Sequence, residues 1–93
     1  MQRAEMDRMV EEHFGYEATD DVDGVLATLT DDARHHLVGS PYGERNGRAE
    51  IHDFYVELFA DAAGEHVEPI ARRYGDHLLV DESEWTGVLH DAR

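Results

Sequence analysis

The chain has 93 residues, the size of one small domain, and we expect a single domain over residues 1–93. Its 22 acidic residues outnumber 8 basic ones, all of them arginine, and the formal net charge is -14. Such a charge disfavours nucleic acid and anionic membranes as partners, because basic side chains provide most of the binding to both. The absence of cysteine excludes disulfides, thiolate catalysis and zinc sites built on cysteine.

The sequence predicts a cytoplasmic location. Residues 1–14 are amphipathic and charged, whereas a secretion signal has an apolar central region. No apolar run approaches the length that spans a bilayer, so no membrane partner is expected.

Two helices are predicted in the first third of the chain. The first ends within residues 15–18, and its apolar face carries Met6, Met9, Val10, His13 and Phe14 at helical spacing. Asp20 or Asp21 then offers an N-cap for a shorter helix, whose buried stripe is Val22, Val25, Leu26 and Leu29. Gly24 weakens this second helix, because glycine is a poor helix former.

A short strand and a third helix follow. Residues 34–38 predict the strand, and residues 39–43 have the composition of a loop. Asn46 and Gly47 form a turn that can begin a helix, and Gly64 suits its end. This helix has a clear 3.6-residue period in its apolar positions, which are Ile51, Phe54, Tyr55, Leu58 and Phe59.

From residue 66 onward the pattern is that of antiparallel strands. Gly75 and Asp76 predict a two-residue turn, and the next strand runs from His77 to about His90. Pro69 lies in the shorter partner strand, which places it at an edge or a bulge. The fold class is therefore α+β, with the helices gathered on one face of an antiparallel sheet.

The predicted turn also fixes the pairing between these two strands. In that register Asp81 faces Ile70, and Trp85 faces His66. One face of the longer strand then carries Leu79, Asp81, Ser83 and Trp85.

Several short pieces of the chain carry a family resemblance. They are Asp21-Val22-Asp23-Gly24, Asp31-Asp32-Ala33, Val38-Gly39-Ser40, Gly47 through Ile51 to Phe54-Tyr55, and Glu84-Trp85-Thr86-Gly87. In their order and spacing they resemble the NTF2-like superfamily, in particular its ketosteroid-isomerase and polyketide-cyclase (SnoaL-like) branches.

The resemblance implies a cone, in which a curved antiparallel sheet wraps three helices and leaves an apolar pocket at its open end. It also implies that Leu79, Asp81, Ser83 and Trp85 line that pocket. Relatives usually continue for two or three further strands, so we expect a cone truncated at its C-terminus.

The isomerase motif is not matched. Where isomerases carry the general-base aspartate, this chain has His36 or Leu37, and the oxyanion-stabilising tyrosine position falls on His13. Steroid isomerisation needs a carboxylate to move the proton and neutral donors to hold the enolate. The resemblance therefore does not bring that activity to this chain.

Three residues are candidates for acid–base catalysis: His36, His13 and Asp81. His35 and His36 are adjacent on a strand and point to opposite faces, and we prefer His36 as the base because imidazole titrates near neutral pH. The structural alternative is a histidine bonded to a backbone carbonyl or lying on the surface. Asp81 sits mid-strand among apolar residues, where it is either a pocket acid or the ion-pair partner of Arg72.

The candidates for substrate contact are aromatic: Tyr16, Phe54, Tyr55 and Trp85. Aromatic residues at helical or strand spacing more often simply pack in a core. No cofactor is predicted. The 7 histidines show no metal-ligand spacing and no HExxH motif, so no metal site is predicted either.

Two functions fit these observations. The first is a SnoaL-like pocket protein that binds a small, largely apolar, cyclic molecule and performs acid–base chemistry of the isomerase or cyclase type on it. The second is a non-catalytic NTF2-like module that binds a ligand or dimerises. A chain of this size buries a thin core and leaves strand edges open, so we expect a homodimer through the sheet.

Overall fold

A computed structural model describes residues 1–89, apart from the side chains of residues 64 and 65. The elements are α1 (Arg3–Ala18), α2 (Val22–Ala27), β1 (Arg34–His36), β2 (Glu44–Asn46), α3 (Gly47–Asp61), β3 (Ala62–Tyr74) and β4 (Leu79–Leu89). The predicted α+β order is confirmed, with β2 as an additional short strand. His90, the predicted end of the last strand, lies outside the described residues. All the described helices are too short or too polar to cross a bilayer.

Asp21 is the N-cap of α2, one of the two predicted. Its carboxylate accepts a hydrogen bond from the Gly24 N–H at 2.9 Å, which satisfies one of the free amides at the start of the helix. The Asp21 N–H donates to the Tyr16 carbonyl at 2.9 Å, and Asp20 between the helices has a φ of 55°. These contacts turn the chain sharply, so that α1 and α2 pack against each other.

Helix α3 starts at Gly47, where the φ of 80° suits glycine. The Gly47 N–H donates to the Ala33 carbonyl at 2.8 Å, which ties the start of α3 to the residue before β1. The predicted end at Gly64 is wrong, because α3 ends at Asp61 and the backbone is already extended at Ala62, where β3 begins.

The predicted two-residue turn of the hairpin is also wrong. Residues 75–78 form a four-residue connection closed by the Gly75 N–H, which donates to the Leu78 carbonyl at 2.6 Å. Pairing resumes between Tyr74 and Leu79, so Asp81 faces Arg72 rather than Ile70. This register brings two opposite charges together across the strands, which is favourable. A shift of two residues keeps Arg72 and Tyr74 on the predicted face, the one that carries Asp81.

Pro69 lies beside a bulge, as the sequence predicts. The register shifts between Pro69 and Ala71, and Ile70 lies in the bulge. Proline has no N–H to donate, so an interruption of the ladder costs little here. The longer turn alone would place Trp85 opposite Glu68, and the bulge moves the register back by one residue, so Trp85 faces Val67 instead of the predicted His66. Within the described residues the strands form two separate two-stranded sheets, β1–β2 and β3–β4.

The core lies among the helices and the loop before β2, not beneath the hairpin. Its buried members are Val25, Tyr42, Ile51, Phe54 and Tyr55. Large apolar side chains remain exposed on the hairpin, namely Val67, Ile70, Val80, Trp85, Val88 and Leu89. The helical layer therefore holds the packed part of the molecule, and the hairpin offers open apolar surface.

Candidate functional site

His13, Glu17 and Tyr55 form a hydrogen-bonded cluster where α1 meets α3. His13 and Glu17 are one helical turn apart, and their Nε2 and Oε2 atoms are 3.4 Å apart. The Tyr55 hydroxyl donates to Glu17 Oε2 at 2.7 Å and lies 3.3 Å from His13 Nε2. The side chains of His13 and Glu17 are 21% and 32% exposed, whereas Tyr55 is 1% exposed. Solvent or a ligand can therefore reach both ionisable groups, and a buried phenol supports them.

The surroundings shift the pKa values of Glu17 and Tyr55 in opposite directions. Burial by itself would raise the pKa of Glu17, but hydrogen bonds from His13 and Tyr55 outweigh it and lower that pKa. Burial, reinforced by the negative charge of Glu17, raises the pKa of Tyr55. At neutral pH the cluster therefore contains a carboxylate and a protonated phenol.

Thr28, the C-cap residue of α2, holds the other side of the His13 ring. His13 Nδ1 and Thr28 Oγ1 are 2.6 Å apart, and the Thr28 hydroxyl also lies 2.6 Å from the Val25 carbonyl oxygen. The three helices thus each contribute a contact to the His13 ring, which fixes its orientation.

The inward-facing histidine of β1 is His35, not the preferred His36. The strand exposes His36 and half-buries His35. The His35 ring packs on Phe54 and Tyr55, with centroids 4.2 and 5.6 Å apart. Burial lowers the pKa of His35, although the Glu17 carboxylate acts in the opposite direction. The buried Nδ1 of His35 has no hydrogen-bond partner among the described residues.

Asp81 belongs to a separate cluster on the hairpin. Arg72 Nε donates to its Oδ2 at 2.9 Å, and the Ser83 hydroxyl donates to its Oδ1 at 2.6 Å. The bond from Ser83, followed by that from Arg72, lowers the pKa of Asp81 despite its partial burial. The structure therefore contains the Arg72–Asp81 ion pair, the structural alternative that the sequence left open.

Arg72 also joins the hairpin to α1. Its Nη1 and Nη2 atoms donate to Asp7 at 3.1 Å and to Glu11 at 2.7 Å. The Tyr74 hydroxyl donates to the same Asp7 at 2.6 Å. Hydrogen bonds to Glu11, Asp7 and Asp81 raise the pKa of Arg72. The face of the hairpin that carries Asp81 is consequently the face turned toward α1.

The four aromatic candidates are placed differently. Phe54 is 1% exposed and, like Tyr55, belongs to the core. Tyr16 is half-buried, and its ring packs over Gly24. Trp85 is 46% exposed and lies over Gly87, on the same face of β4 as Asp81. Of these four, Trp85 offers the widest surface to a ligand.

The structure brings His13 and Tyr55 together and places Phe54 beside Tyr55, with ring centroids 5.0 Å apart. Among the described contacts, none joins His36 or Asp81 to that cluster.

Sequence reasoning missed Glu17 and Thr28, and it set His35 aside in favour of His36. Glu17 could have been found from its spacing of four residues after His13 on one helix face. The contact of Thr28 with His13 and that of His35 with Phe54 join separate elements, and no local pattern reports them.

Two open depressions occur on the described surface. One lies at the hairpin tip and is lined by Met1, Arg3, Tyr74, Gly75, Asp76 and His77. The other lies on the hairpin and is lined by Ala71, Arg73, Val80, Asp81, Glu82 and Ser83. Neither is lined by His13, Tyr55 or Trp85, so the apolar pocket inside a cone stays a prediction. Among the side chains that the structure describes, no group of three or more histidine, aspartate or glutamate residues is arranged to hold a metal ion.

The fold and the site together define an α+β domain with an ionisable cluster at a helix interface. The chain belongs to the SnoaL-like domain family of the NTF2-like superfamily, because the sequence model of that family matches residues 10–93.

One solved structure of similar fold comes from Novosphingobium aromaticivorans DSM and is named as a proposed aromatic ring hydroxylase. It superposes with a TM-score of 0.77 at 20% identity, over 90% of this chain and 63% of that chain. This chain thus spans less than two thirds of that protein, and the likeness concerns the fold. None of the curated proteins compared with the sequence matches it.

Proposed function

We propose that this domain binds a small, largely apolar ring molecule and moves a proton on it through His13 and Glu17. The observation that carries the proposal is the partly exposed His13–Glu17 pair, which is held by the buried hydroxyl of Tyr55. A histidine beside a carboxylate can take up a proton and return it. The Tyr55 phenol stays protonated and donates to Glu17, which holds that carboxylate beside His13.

The ligand class follows from the apolar surface of the hairpin. Trp85 and Val67 face each other across β3 and β4, and both are exposed. They lie on the face that carries Asp81 and is turned toward α1, so a flat molecule held there lies between the hairpin and the helices. The name of the similar bacterial protein refers to aromatic rings, which supports the choice of an aromatic probe.

We give neither His36 nor Asp81 a part in the proton transfer. His36 is exposed on the face of β1 away from Phe54. Asp81 is ionised and bonded to Arg72 and Ser83, which leaves it no proton to donate at neutral pH. The proposed acid–base residues are therefore His13 and Glu17, which both lie on α1.

Ligand binding is tested by titrating the ¹⁵N-labelled domain with 2-naphthol and following the amide signals. We expect shifts concentrated at Trp85, Val67 and the His13–Glu17 turn. A Trp85→Ala variant should weaken binding, whereas Val38→Ala, which shortens an exposed side chain in the loop after β1, should leave it unchanged. Shifts scattered over the surface, or none, would refute the proposed ligand class.

The chemistry is tested with 2-tetralone, a cyclic ketone with acidic protons beside its carbonyl. In D₂O the domain should accelerate exchange of these protons, because His13 or Glu17 removes one and returns a deuteron. His13→Gln and Glu17→Gln should each lower the exchange rate by about a hundredfold, the lower end of the usual contribution of a general base. His52→Gln, at an exposed position of α3, is the matched control and should retain the rate. Equal exchange rates with and without the protein would rule out this acid–base function. They would not contradict the proposed ligand binding, which the titration with 2-naphthol tests separately.

The second candidate function is a non-catalytic module that dimerises through its sheet. The observation in its favour is the apolar surface of the outer hairpin face, where Val80 and Val88 are exposed. We expect sedimentation equilibrium to give a dimer mass, and the double variant Val80→Asp/Val88→Asp to give a monomer. Val38→Asp introduces the same charge at another exposed valine and should remain dimeric. A wild-type monomer at high concentration would contradict this candidate.

The cytoplasmic location and the absence of nucleic-acid and membrane partners stay predictions from composition. They are consistent with the net charge of -14 and the lack of cysteine.

A further inference from the structure

Thr28 makes two short polar contacts with one hydroxyl group. Its Oγ1 lies 2.6 Å from the Val25 carbonyl oxygen and 2.6 Å from His13 Nδ1. Polar atoms at such distances need a proton between them. The hydroxyl carries one proton, and a second proton must therefore come from another group.

The chemistry of the three atoms decides where each proton lies. The carbonyl oxygen of Val25 can only accept, so the Thr28 proton lies in that contact. Thr28 Oγ1 is then the acceptor toward His13, and Nδ1 of His13 must be the donor. This assignment follows from heavy-atom distances and does not depend on the charge of the ring.

The opposite nitrogen of the same ring faces the acid–base partners. Nε2 lies 3.3 Å from the Tyr55 hydroxyl oxygen and 3.4 Å from Glu17 Oε2. With Nδ1–H committed to Thr28, Nε2 is the nitrogen that gains or loses a proton. When it is protonated, Glu17 and Tyr55 offer it oxygen acceptors; when it is bare, it can accept a proton.

We infer that Thr28 is a positioning residue that fixes a proton on His13 Nδ1 and so makes Nε2 the exchanging nitrogen beside Glu17. In a histidine, the hydrogen bond at one ring nitrogen sets the protonation of the other. The role of Thr28 in catalysis rests on the proposed function. Its control over the His13 tautomer does not, because it concerns the free protein.

The test reads the tautomer directly. Long-range ¹H–¹⁵N correlation spectra of the imidazoles distinguish a protonated from a bare ring nitrogen, and comparison with His13→Gln identifies the His13 signals. The spectra are recorded at a pH where the titration of that ring shows it to be neutral. We expect the proton on Nδ1 in the wild type and in Thr28→Ser, which keeps the hydroxyl. In Thr28→Val the proton should move to Nε2, where Glu17 accepts it.

Two results would overturn the inference: a bare Nδ1 in the neutral wild-type ring, or an unchanged tautomer in a folded Thr28→Val. Amide spectra show whether Thr28→Val is folded, and Thr28→Ala is used in its place if it is not. The measurement on the wild type tests the inference without any variant.

The rate of 2-tetralone exchange separates this inference from the proposed function. If the tautomer is as expected and the wild type does not accelerate exchange, the proposed chemistry fails and the role of Thr28 in orienting His13 stands. If both hold, Thr28→Val should lower the exchange rate by roughly tenfold to a hundredfold, the range found when a hydrogen-bond partner that orients a metal-binding histidine is removed.

Discussion

The ring of Tyr16 in α1 lies against Gly24 in α2 so closely that a Cβ on Gly24 would clash with the ring. Gly24 is a poor residue for a helix, and this contact explains its presence. Gly24→Ala should destabilise the domain by about 1–3 kcal/mol, the usual cost of overpacking, even though alanine favours a helix. Chemical denaturation measures the change.

Gly15→Ala in α1 is the matched control for that substitution. A Cβ at Gly15 meets nothing within 4 Å, so the alanine should stabilise the domain by up to about 1 kcal/mol through helix propensity alone. Tyr16→Ala combined with Gly24→Ala should remove the clash. Equal effects of the two glycine substitutions would mean that Tyr16 does not occupy the space above Gly24.

Tyr55→Phe should cost about 1–2 kcal/mol of stability, because the hydroxyl donates to the carboxylate of Glu17 and the ring is buried. The pKa of Glu17 should rise, since one of the two hydrogen bonds that lower it is lost. The carboxyl ¹³C signal of Glu17, followed against pH, measures the shift. If the Glu17 signal titrates identically in wild type and variant, the hydroxyl does not contact the carboxylate in solution.

Stability should fall as the pH drops, in two separate windows. The pKa of His35 is lowered by burial, so below the ordinary value of 6.5 the unfolded chain binds a proton that the folded domain does not. Stability is therefore lost from about pH 6.5 down to the folded pKa of His35. The pKa of Glu17 is lowered as well, so its contribution is present above 4.5 and is lost as the pH falls through its folded value.

Two variants separate these windows. His35→Phe should flatten the decline that begins near pH 6.5, and Glu17→Gln should flatten the decline that begins near pH 4.5. The free energy of unfolding is measured by denaturant titration at each pH. A His35→Phe profile parallel to that of the wild type would place His35 in solvent.

Arg72→Met should loosen the hairpin from α1, because Asp7, Glu11 and Asp81 lose their common partner. The three carboxylates would then repel one another. Amide hydrogen exchange in β3 and β4 should become several-fold faster, with less change in α3. Arg73→Met removes an equal charge from the exposed opposite face of the same strand and is the matched control. Similar exchange in the two variants would show that net charge, not the contact with α1, holds the hairpin.

Local features of this chain are readable from sequence alone. The apolar period of Ile51, Phe54 and Tyr55 predicts α3 and its buried face, and these residues are in the core. Asp21 is an N-cap because a short carboxylate can reach a free amide three residues ahead. Pro69 marks a bulge because it cannot donate to a strand ladder. Each of these depends on neighbours within a few residues.

The tertiary structure decided what depends on partners from elsewhere in the chain. The four-residue turn places Asp81 opposite Arg72, and the two side chains form an ion pair in that register. The turn propensities of residues 75–78 alone do not predict this pair. Packing on Phe54 turns His35 inward, although His35 and His36 are equivalent by strand pattern. His13 contacts Thr28 only because α1 folds back on α2. It contacts Tyr55 only because α3 brings that residue beside α1. Spacing along a chain shows which residues share one face of a helix or strand. Which other element that face packs against is decided only when all the elements pack together.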